Sequence, residues 1–317
     1  MIALVMLVSL SACGKTNKDA GSGTDKRSAQ TASGTEVTFK DSLGRTVTVD
    51  SPKRVAVMLG SFADVWSLAG GKDTIAAAGN DAWTEFDLGL GKDVVNLGSV
   101  MHPDVETILS LDPDFVIASS NTKANVNMLE TLEKAKINVA YFNVSNFESY
   151  LDMLNTCCKI TGKPENYKKY GTDVAKQVED AKARVGKEHP SVLCIRATSS
   201  NCIAKSSKDN VLGEMLSNLG CVNIADTDSG ILENLSMEAI IDKDPDFIFV
   251  ILHGVDEDKA EGVFKEAYLN NPSWQNLTAV KNGNCHVMDS HLFDLKPNDR
   301  WGKAYEELVD ILYPEES

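Results

Sequence analysis

The sequence predicts an α/β protein of two similar lobes, because three of its patterns agree. Short apolar runs alternate with amphipathic segments in both halves of the chain, which is typical of parallel sheets covered by helices. The halves also share a unit that contains Pro-Asp-Phe, at residues 105–119 and again at 237–251. Between these units, residues 164–185 carry one long helical pattern.

The first half predicts a hairpin followed by a buried sheet. Alternating runs at residues 37–39 and 46–49 flank a turn and predict two antiparallel strands. The continuous apolar run at 54–59 predicts a strand covered on both faces, and Ser61 is a candidate cap for the helix that follows. Further strands are predicted at residues 75–78, 114–118 and 138–142.

The middle of the chain predicts a connecting helix over residues 164–186. Its apolar residues recur at spacings of three and four, Pro164 suits a first helical turn, and Gly186 suits an end. About 22 helical residues would span roughly 33 Å, which is about the diameter of a domain. We therefore expect a stiff connector between an N-terminal lobe at residues 36–163 and a C-terminal lobe at residues 187–317.

The second half repeats the alternation of strand and helix. Strands are predicted at residues 192–196, 247–252 and 285–289, and helices near residues 209–219 and 299–312. The predicted fold is therefore two Rossmann-like lobes with central, mainly parallel sheets, joined by one long connecting helix. Because ligands of such sheets gather beyond the carboxyl ends of the strands, the ligand cleft is expected between the lobes.

Composition and missing motifs narrow the function. The 317 residues are too many for one small core and suit two domains. The 46 acidic and 31 basic side chains give a net charge of −15, which argues against a nucleic-acid partner because phosphate binding needs a basic face. The sequence contains no GxSxG, HExxH or Walker motif, so we expect no catalytic residues, and an extracytoplasmic α/β enzyme is the less favoured interpretation.

The N-terminus predicts a lipid anchor. The apolar run at residues 2–10 is too short to span a bilayer and has the length of a signal-peptide core. It leads into "LSAC", which resembles a bacterial lipobox and implies cleavage after residue 12 and lipidation of Cys13. Residues 13–35 then form the lipidated cysteine and a flexible tether, since they lack large apolar side chains. No Lys or Arg precedes the apolar run, so the true start of the signal peptide (residues 1–12) stays open.

Six further cysteines have no spacing typical of a structural metal site. Disulfides and buried free thiols both stay open for them, and Cys194 and Cys202 are close enough in sequence to be a candidate pair. The six are Cys157, Cys158, Cys194, Cys202, Cys221 and Cys285.

Several segments together resemble a known family. They are "LSAC", "DSLGRTVTV", "SPKRVAV", the two Pro-Asp-Phe units, "EMLSNLGCVNIA" and the long helix, and the resemblance covers essentially the whole body, about residues 36–313. The sequence resembles the substrate-binding proteins of ABC importers for iron–siderophore complexes, haem and cobalamin (the Fe/B12 periplasmic-binding family). The resemblance implies an extracytoplasmic, lipid-anchored monomer without a cofactor of its own, which delivers a small metal chelate to a permease dimer with its ATPase.

The repeated unit carries an acidic residue seven positions before its proline, Glu106 in one half and Glu238 in the other. In the family that the sequence resembles, a glutamate at the start of this helix in each lobe docks onto basic residues of the membrane subunits. The resemblance therefore implies permease docking for Glu106 and Glu238. Because helix dipoles favour carboxylates at N-termini, simple capping of each helix is the alternative.

Residues that follow predicted strands are the candidates for the ligand cleft. For Arg196 the alternatives are a ligand oxygen, which we favour, and a nearby carboxylate, because a charge at the end of a buried strand needs a partner. For the aromatic residues the alternative is lobe packing. The candidates are Ser61, Phe62, Trp83, Met101, His102, Arg196, His253, His291, Phe293, Lys296 and Arg300.

A carrier of bare zinc or manganese is the main rival among binding proteins. It would need about three histidines and a carboxylate around one ion. The five histidines include no His-rich loop, so we expect no protein-bound metal site. Whether His102, His253 or His291 ligates the metal of a cargo, and which siderophore, haem or corrinoid is carried, the sequence leaves open.

Overall fold

A hairpin and a parallel sheet form the N-terminal lobe. In the computed structural model, which describes residues 36–208, 210–254 and 256–314, strands β1 and β2 pair antiparallel and lead into a sheet of order β5-β4-β3-β6-β7, in which all neighbours are parallel. The strands are β1 (Glu36–Lys40), β2 (Thr46–Asp50), β3 (Val55–Val57), β4 (Ile75–Ala78), β5 (Val95–Asn96), β6 (Phe115–Ser119) and β7 (Val139–Phe142).

A second sheet forms the C-terminal lobe, with the parallel order β10-β8-β11-β12. Its strands are β8 (Ser191–Ala197), β9 (Cys202–Lys205), β10 (Val222–Asn223), β11 (Phe247–Leu252) and β12 (Cys285–Met288). The fold class predicted from the sequence is confirmed. Strands β5 and β9 were missed, since β5 has only two residues and β9, which pairs antiparallel with β8, has only four.

Helices cover both sheets. The N-terminal lobe has α1 (Gly60–Leu68), α2 (Asp81–Thr84), α3 (Val105–Leu111), α4 (Lys123–Asn127), α5 (Leu129–Lys134) and α6 (Phe147–Thr161). Two helices lie between the two lobes in the order of the chain, α7 (Pro164–Tyr167) and α8 (Asp173–Lys182). The C-terminal lobe has α9 (Val211–Asn218), α10 (Ser229–Asn234), α11 (Met237–Lys243), α12 (Glu257–Phe264), α13 (Thr278–Lys281), α14 (Ser290–Phe293) and α15 (Trp301–Leu312). Short 3-10 helices occur at Lys72–Thr74, Ile224–Asp226, Trp274–Asn276 and Asn298–Arg300, and a π-helical turn at Lys265–Leu269 follows α12.

The segment predicted as the connector is helical from Pro164 to Lys182. A π-helical turn at Lys168–Thr172 joins α7 to α8, and the Tyr150 hydroxyl donates to the Tyr170 carbonyl there at 2.8 Å. Helix α8 packs on α15, and Gly302 makes that close approach possible, because a Cβ at this position would lie 2.3 Å from a Gln177 side-chain atom. The connector is therefore held along its length by both lobes.

The structure explains why the Pro-Asp-Phe unit occurs twice. Each unit is a seven-residue helix, α3 or α11, that ends at an aspartate with a left-handed backbone, Asp112 at φ 45° and Asp244 at φ 40°. Asp114 then accepts hydrogen bonds from the backbone N–H groups of Lys53 and Arg54, where β3 begins. In the second lobe Asp246 accepts from the backbone and hydroxyl of Ser191, where β8 begins.

One local prediction is wrong, and the structure decides the open question of the cysteines. Ser61 does not cap α1, since the N-cap position is Leu59, which provides no side-chain bond, and Ser61 is buried inside the first turn. Cys194 and Cys202 do not pair, and the six cysteines of the described residues are free thiols. In the β8–β9 ladder Cys194 faces Lys205 and Cys202 faces Ala197, so about 10 Å of strand separates the two thiols, too far for a disulfide.

The predicted signal peptide, Cys13 and the tether lie outside the described residues. Within residues 36–314, apart from the two undescribed positions, no helix has the length and apolar character needed to cross a membrane.

A buried asparagine joins the two lobes. Asn298 has no exposed surface, and its side-chain amide donates to the Ser61 carbonyl at 2.9 Å and to the Asp64 carboxylate at 2.8 Å, both on α1. Its φ of 54° lies in the left-handed region, which asparagine tolerates better than most residues. Burial raises the pKa of Asp64, and the hydrogen bond from Asn298 opposes that effect.

An aromatic contact continues this junction. The Trp301 ring, fully buried at the start of α15, lies 5.7 Å from the Phe147 ring at the start of α6. One hydrophobic cluster therefore includes residues of both sheets and of the connector. The lobes share a core at this point, in addition to the connecting helix.

Replacing Asn298 by alanine tests the junction. N298A removes two hydrogen bonds whose acceptors are buried, and an unsatisfied buried group costs about 1–3 kcal/mol. We expect the free energy of unfolding, measured in urea, to fall by about 2–4 kcal/mol. The control N234A lies at an exposed helix end and should change it by less than about 0.5 kcal/mol. Equal stability of N298A and N234A would show that the lobes do not depend on this contact.

Candidate functional site

A cavity lies between the carboxyl ends of the two sheets. It has a volume of about 580 Å³ and is lined by loops that follow β4 and β11. The His291 Nε2 atom lies 2.9 Å from the Glu85 carbonyl oxygen and forms a hydrogen bond across the cleft beside it. The lining residues are Thr84, Glu85, Gly254, Asp256, Glu257 and Asp258.

Three polar side chains of the C-terminal lobe meet next to this cavity. Asp294, with only 4% of its side chain exposed, accepts hydrogen bonds from Arg196 at the end of β8 and from His253, whose Nδ1 lies 2.5 Å away. Burial alone would raise the pKa of Asp294, but the hydrogen bond from His253 and the charge of Arg196 outweigh it and lower the pKa. Asp294 is therefore a carboxylate that holds two cleft residues in place.

Arg196 has one of the two partners that the sequence left open, the carboxylate of the protein. One guanidinium nitrogen bonds Asp294, so a carboxylate of the protein does compensate the charge. Its Nε atom is buried and has no hydrogen-bond partner among the described residues. Because 24% of the Arg196 side chain is exposed, another part of the guanidinium can donate to a ligand oxygen.

Lys296 adds a second cation to this group. Burial lowers the pKa of its ammonium, Asp294 opposes that effect, and the charge of Arg196 adds to it. Arg300, by contrast, turns its Nε toward the Pro297 carbonyl at 3.2 Å and follows the buried Asn298. Arg300 therefore belongs to the junction between the lobes, whereas Lys296 lies near Asp294 and Arg196.

The two ends of the cleft have opposite charge. We call Arg196, His253, Asp294 and Lys296 the floor, and the side chains of Glu85, Asp256, Glu257 and Asp258 the rim. The rim carries acidic groups only, while the floor has two cationic side chains around one carboxylate.

The aromatic candidates lie behind the cleft surface. Phe62 and Phe293 are each 1% exposed and pack in the shared core, and Phe62 meets Phe142 edge to face. Ser61 is also buried, and its carbonyl is taken by Asn298. Trp83, on α2, is half-buried against the same core, so it is the aromatic candidate that keeps some exposed surface.

Met101 and His102 lie elsewhere. Both are exposed in the loop that leads into α3, and neither lines the cavity between the lobes. The structure therefore divides the candidates into a cleft group and a group beside the repeated helix.

The rim and the carboxylate of Asp294 were not among the site residues predicted from the sequence. Asp256, Glu257 and Asp258 form an acidic triplet a few residues after β11, so their position past a strand end was readable from the sequence. The role of Asp294 could not be predicted in that way, because it depends on hydrogen bonds with Arg196 and His253, which are far from Asp294 in the sequence.

The two candidate docking glutamates are exposed and equivalent. Glu106 and Glu238 each lie in the first turn of their helix, but neither caps it. The caps are Asp104, which accepts from the backbone of Thr107 at 2.9 Å, and Ser236, which accepts from Ala239. Because other residues cap the helices, both glutamates keep their carboxylates free for a partner.

No resident metal site was predicted from the sequence. Within the part of the chain that the structure describes, no group of three or more His, Cys, Asp or Glu side chains is placed to hold a metal ion.

The comparisons with known proteins agree with this two-lobed architecture. A family model described as periplasmic binding protein matches residues 55–292. The Fe(3+)-citrate-binding protein YfmC of Bacillus subtilis is 25% identical over 91% of this chain and 87% of its own length. The iron(3+)-hydroxamate-binding protein FhuD of the same organism is 26% identical over 90% of this chain and 88% of its own length.

A solved structure shows the same fold. The petrobactin-binding protein YclQ of Bacillus subtilis superimposes with a TM-score of 0.69 at 22% identity, covering 87% of this chain and 99% of that one. Two sheets, a cleft at their carboxyl ends and a shared junction define a two-lobed binding protein. The chain belongs to the periplasmic binding protein family, whose members are binding proteins, so the family prediction from the sequence is confirmed.

Asp294→Asn tests the organisation of the floor. The substitution keeps the side-chain size but removes the charge that compensates Arg196, and breaking a largely buried ion pair is strongly destabilising. We expect the free energy of unfolding at pH 7 to fall by about 2–4 kcal/mol, measured by urea unfolding. Asp289→Asn, at a more exposed carboxylate nearby, should lower it by less than about 1 kcal/mol. A D294N protein as stable as D289N would contradict the central role of Asp294.

Proposed function

We propose that the protein is the extracytoplasmic substrate-binding component of an ABC importer and that its cargo is an iron–siderophore complex or a related haem or corrinoid. The observation that carries the proposal is the cleft between the lobes, beside which Asp294 fixes the partly exposed guanidinium of Arg196. Membership of the periplasmic binding protein family supports it.

The names of the relatives point to iron chelates. YfmC is named for ferric citrate and FhuD for ferric hydroxamate, and the petrobactin-binding protein shares the fold. These ligands hold their metal through oxygen atoms, which are hydrogen-bond acceptors. The cations of the floor, Arg196 and Lys296, suit such oxygens, because charge-assisted hydrogen bonds are about twice as strong as neutral ones.

One histidine is oriented for a metal in the cargo. The His253 Nδ1 atom bonds the Asp294 carboxylate, which leaves Nε2 as the acceptor when the ring is neutral. A carboxylate behind the ring is also how metal-binding histidines are commonly fixed. His291 differs, because its Nε2 is engaged by the Glu85 carbonyl.

The location is inferred from the lipobox near the N-terminus, and the partners are inferred from the repeated Pro-Asp-Phe unit. The lipidated Cys13 and the tether at residues 13–35 hold the body at the outer face of the membrane as a monomer. Glu106 and Glu238 then meet basic residues of a permease dimer, one glutamate from each lobe. Arginines suit this role because they bind carboxylates with two parallel hydrogen bonds.

A cargo screen by tryptophan fluorescence tests the ligand class. Trp83 is half-buried on α2, whereas Trp66, Trp274 and Trp301 have at most 1% of their surface exposed. We expect one of ferric citrate, a ferric hydroxamate, haemin or cobalamin to quench the fluorescence with saturation, and Trp83→Phe to lose the larger share of the quench. Arg196→Ala should weaken that cargo about tenfold or more, since it removes charge-assisted bonds.

The screen also separates the rival functions. Saturable binding of zinc or manganese without any response to the chelates would favour the bare-metal carrier. No response to any of these ligands would contradict the proposed function. If haemin is the cargo, a Soret band that His253→Ala abolishes and His291→Ala keeps would assign the ligating histidine.

Alanine at the two glutamates tests the docking role. Because Glu106 and Glu238 lie on exposed helix starts away from the cavity, E106A and E238A should bind cargo with unchanged affinity. The double variant should lose most cargo uptake by cells, measured with radioactive iron. Glu165→Ala is the matched control, since Glu165 is also exposed in the first turn of a helix. Wild-type uptake by the double variant, or a loss of cargo affinity, would contradict docking by these residues.

A further inference from the structure

Three exposed apolar side chains lie next to the two candidate docking glutamates. Among the described residues, Met101, Leu232 and Ile241 are exposed by 60%, 40% and 44%. Exposed large apolar residues are ordinary when they are scattered singly, but a group beside a functional feature marks an interaction surface.

In the C-terminal lobe the apolar pair flanks Glu238. Ile241 follows Glu238 by three residues on α11, so both side chains emerge from the same helix face about 5–6 Å apart. Leu232 lies on α10, which packs against α11. Leu235 and Ile240 are buried and pack these helices against the lobe. The helices that carry the exposed residues are therefore fixed in position.

In the N-terminal lobe Met101 takes the corresponding place. It precedes Glu106 by five residues, as Leu232 precedes Glu238 by six. The loop is closed by two backbone hydrogen bonds, from His102 to Ser99 and from Asp104 to Leu97, both at 2.9 Å. Met101 is therefore held at the tip of a short loop beside the start of α3.

The glutamates alone provide little affinity. An ion pair between exposed side chains changes a binding constant by about fivefold at most, because water already solvates both charges. Burying a Leu, Ile or Met side chain changes it by about tenfold or more. A docking surface that holds a partner needs apolar contacts at the centre and charges around them.

Charge decides which partner fits. Asp104 and Glu106 follow Met101 in the chain, while Glu233, Glu238 and Asp242, with one lysine, Lys243, are neighbours of the apolar pair in the sequence of the other lobe, and the chain as a whole has a net charge of −15. Anionic lipid headgroups would repel these carboxylates, although the anchored body lies near the bilayer. A protein surface that presents basic residues around apolar pockets is complementary to both lobes.

We propose that Met101, Leu232 and Ile241 are apolar anchors of the surface with which this protein binds the membrane subunits of its importer. Each anchor inserts beside a glutamate that meets a basic residue of the permease. The inference rests on the proposed function and adds to it the contacts that supply most of the affinity.

Photo-crosslinking in cells tests the partner. The photoreactive residue p-benzoylphenylalanine replaces Met101 or Ile241, and adducts are identified by mass spectrometry. Both positions should give an adduct with an integral membrane permease subunit. Val222 is the matched control, because it is 51% exposed in the same lobe as Ile241 but lies on strand β10, outside α10 and α11. Adducts with lipid, with a second copy of this chain, or equally from position 222 would overturn the proposal.

Glutamine variants test the energetic part. M101Q, L232Q and I241Q should each lower uptake about tenfold at limiting iron chelate, with unchanged cargo affinity, whereas V222Q should match the wild type. Uptake that falls for E106A/E238A but not for the glutamine variants would overturn the anchors and keep the docking glutamates. Failure of the wild-type protein to bind any chelate would instead contradict the proposed function, so the two failures are distinguishable.

Discussion

The arrangement of the whole molecule depends on one buried contact, the hydrogen bonds from Asn298 to α1. Asn298 reaches from the end of the C-terminal lobe to Ser61 and Asp64 of the N-terminal lobe, and no solvent reaches it. A buried donor with two buried acceptors cannot separate without leaving polar groups unpaired, which is costly. Together with the stiff connector, this junction limits how far the lobes can open, so a bound ligand meets a cleft that is largely formed beforehand.

The sequence predicted the architecture well and the details of the site less well. Buried parallel strands are continuous apolar runs, so most strands were located to within a residue or two, as for β11 at Phe247–Leu252. The edge strand β9 was missed because it has only four residues, and the Ser61 cap was wrong because α1 begins at Gly60 without a side-chain cap. Local patterns determine local elements, but they do not show which ends of which strands meet.

The site shows that difference most clearly. Arg196 and His253 were candidates from their positions after strands, yet the carboxylate that joins them, Asp294, is known only from the folded structure. Phe62 and Phe293 were candidates for the same reason, and the structure places both in the core. A position next to a strand end therefore does not decide which way a side chain points. The repeat is the opposite case, since its two aspartates, Asp114 and Asp246, make equivalent bonds to the start of a neighbouring strand.

The central claim is that an iron chelate binds in the cleft between the lobes, on the floor formed around Asp294. The most direct measurement is anomalous X-ray scattering at the iron edge, from crystals of the protein grown with the ferric chelate that it binds. The account predicts a single iron peak between the lobes, with chelate oxygens toward Arg196 and Lys296. An iron peak on the outer surface of either lobe, or chelate density that avoids Arg196 and His253, would contradict it.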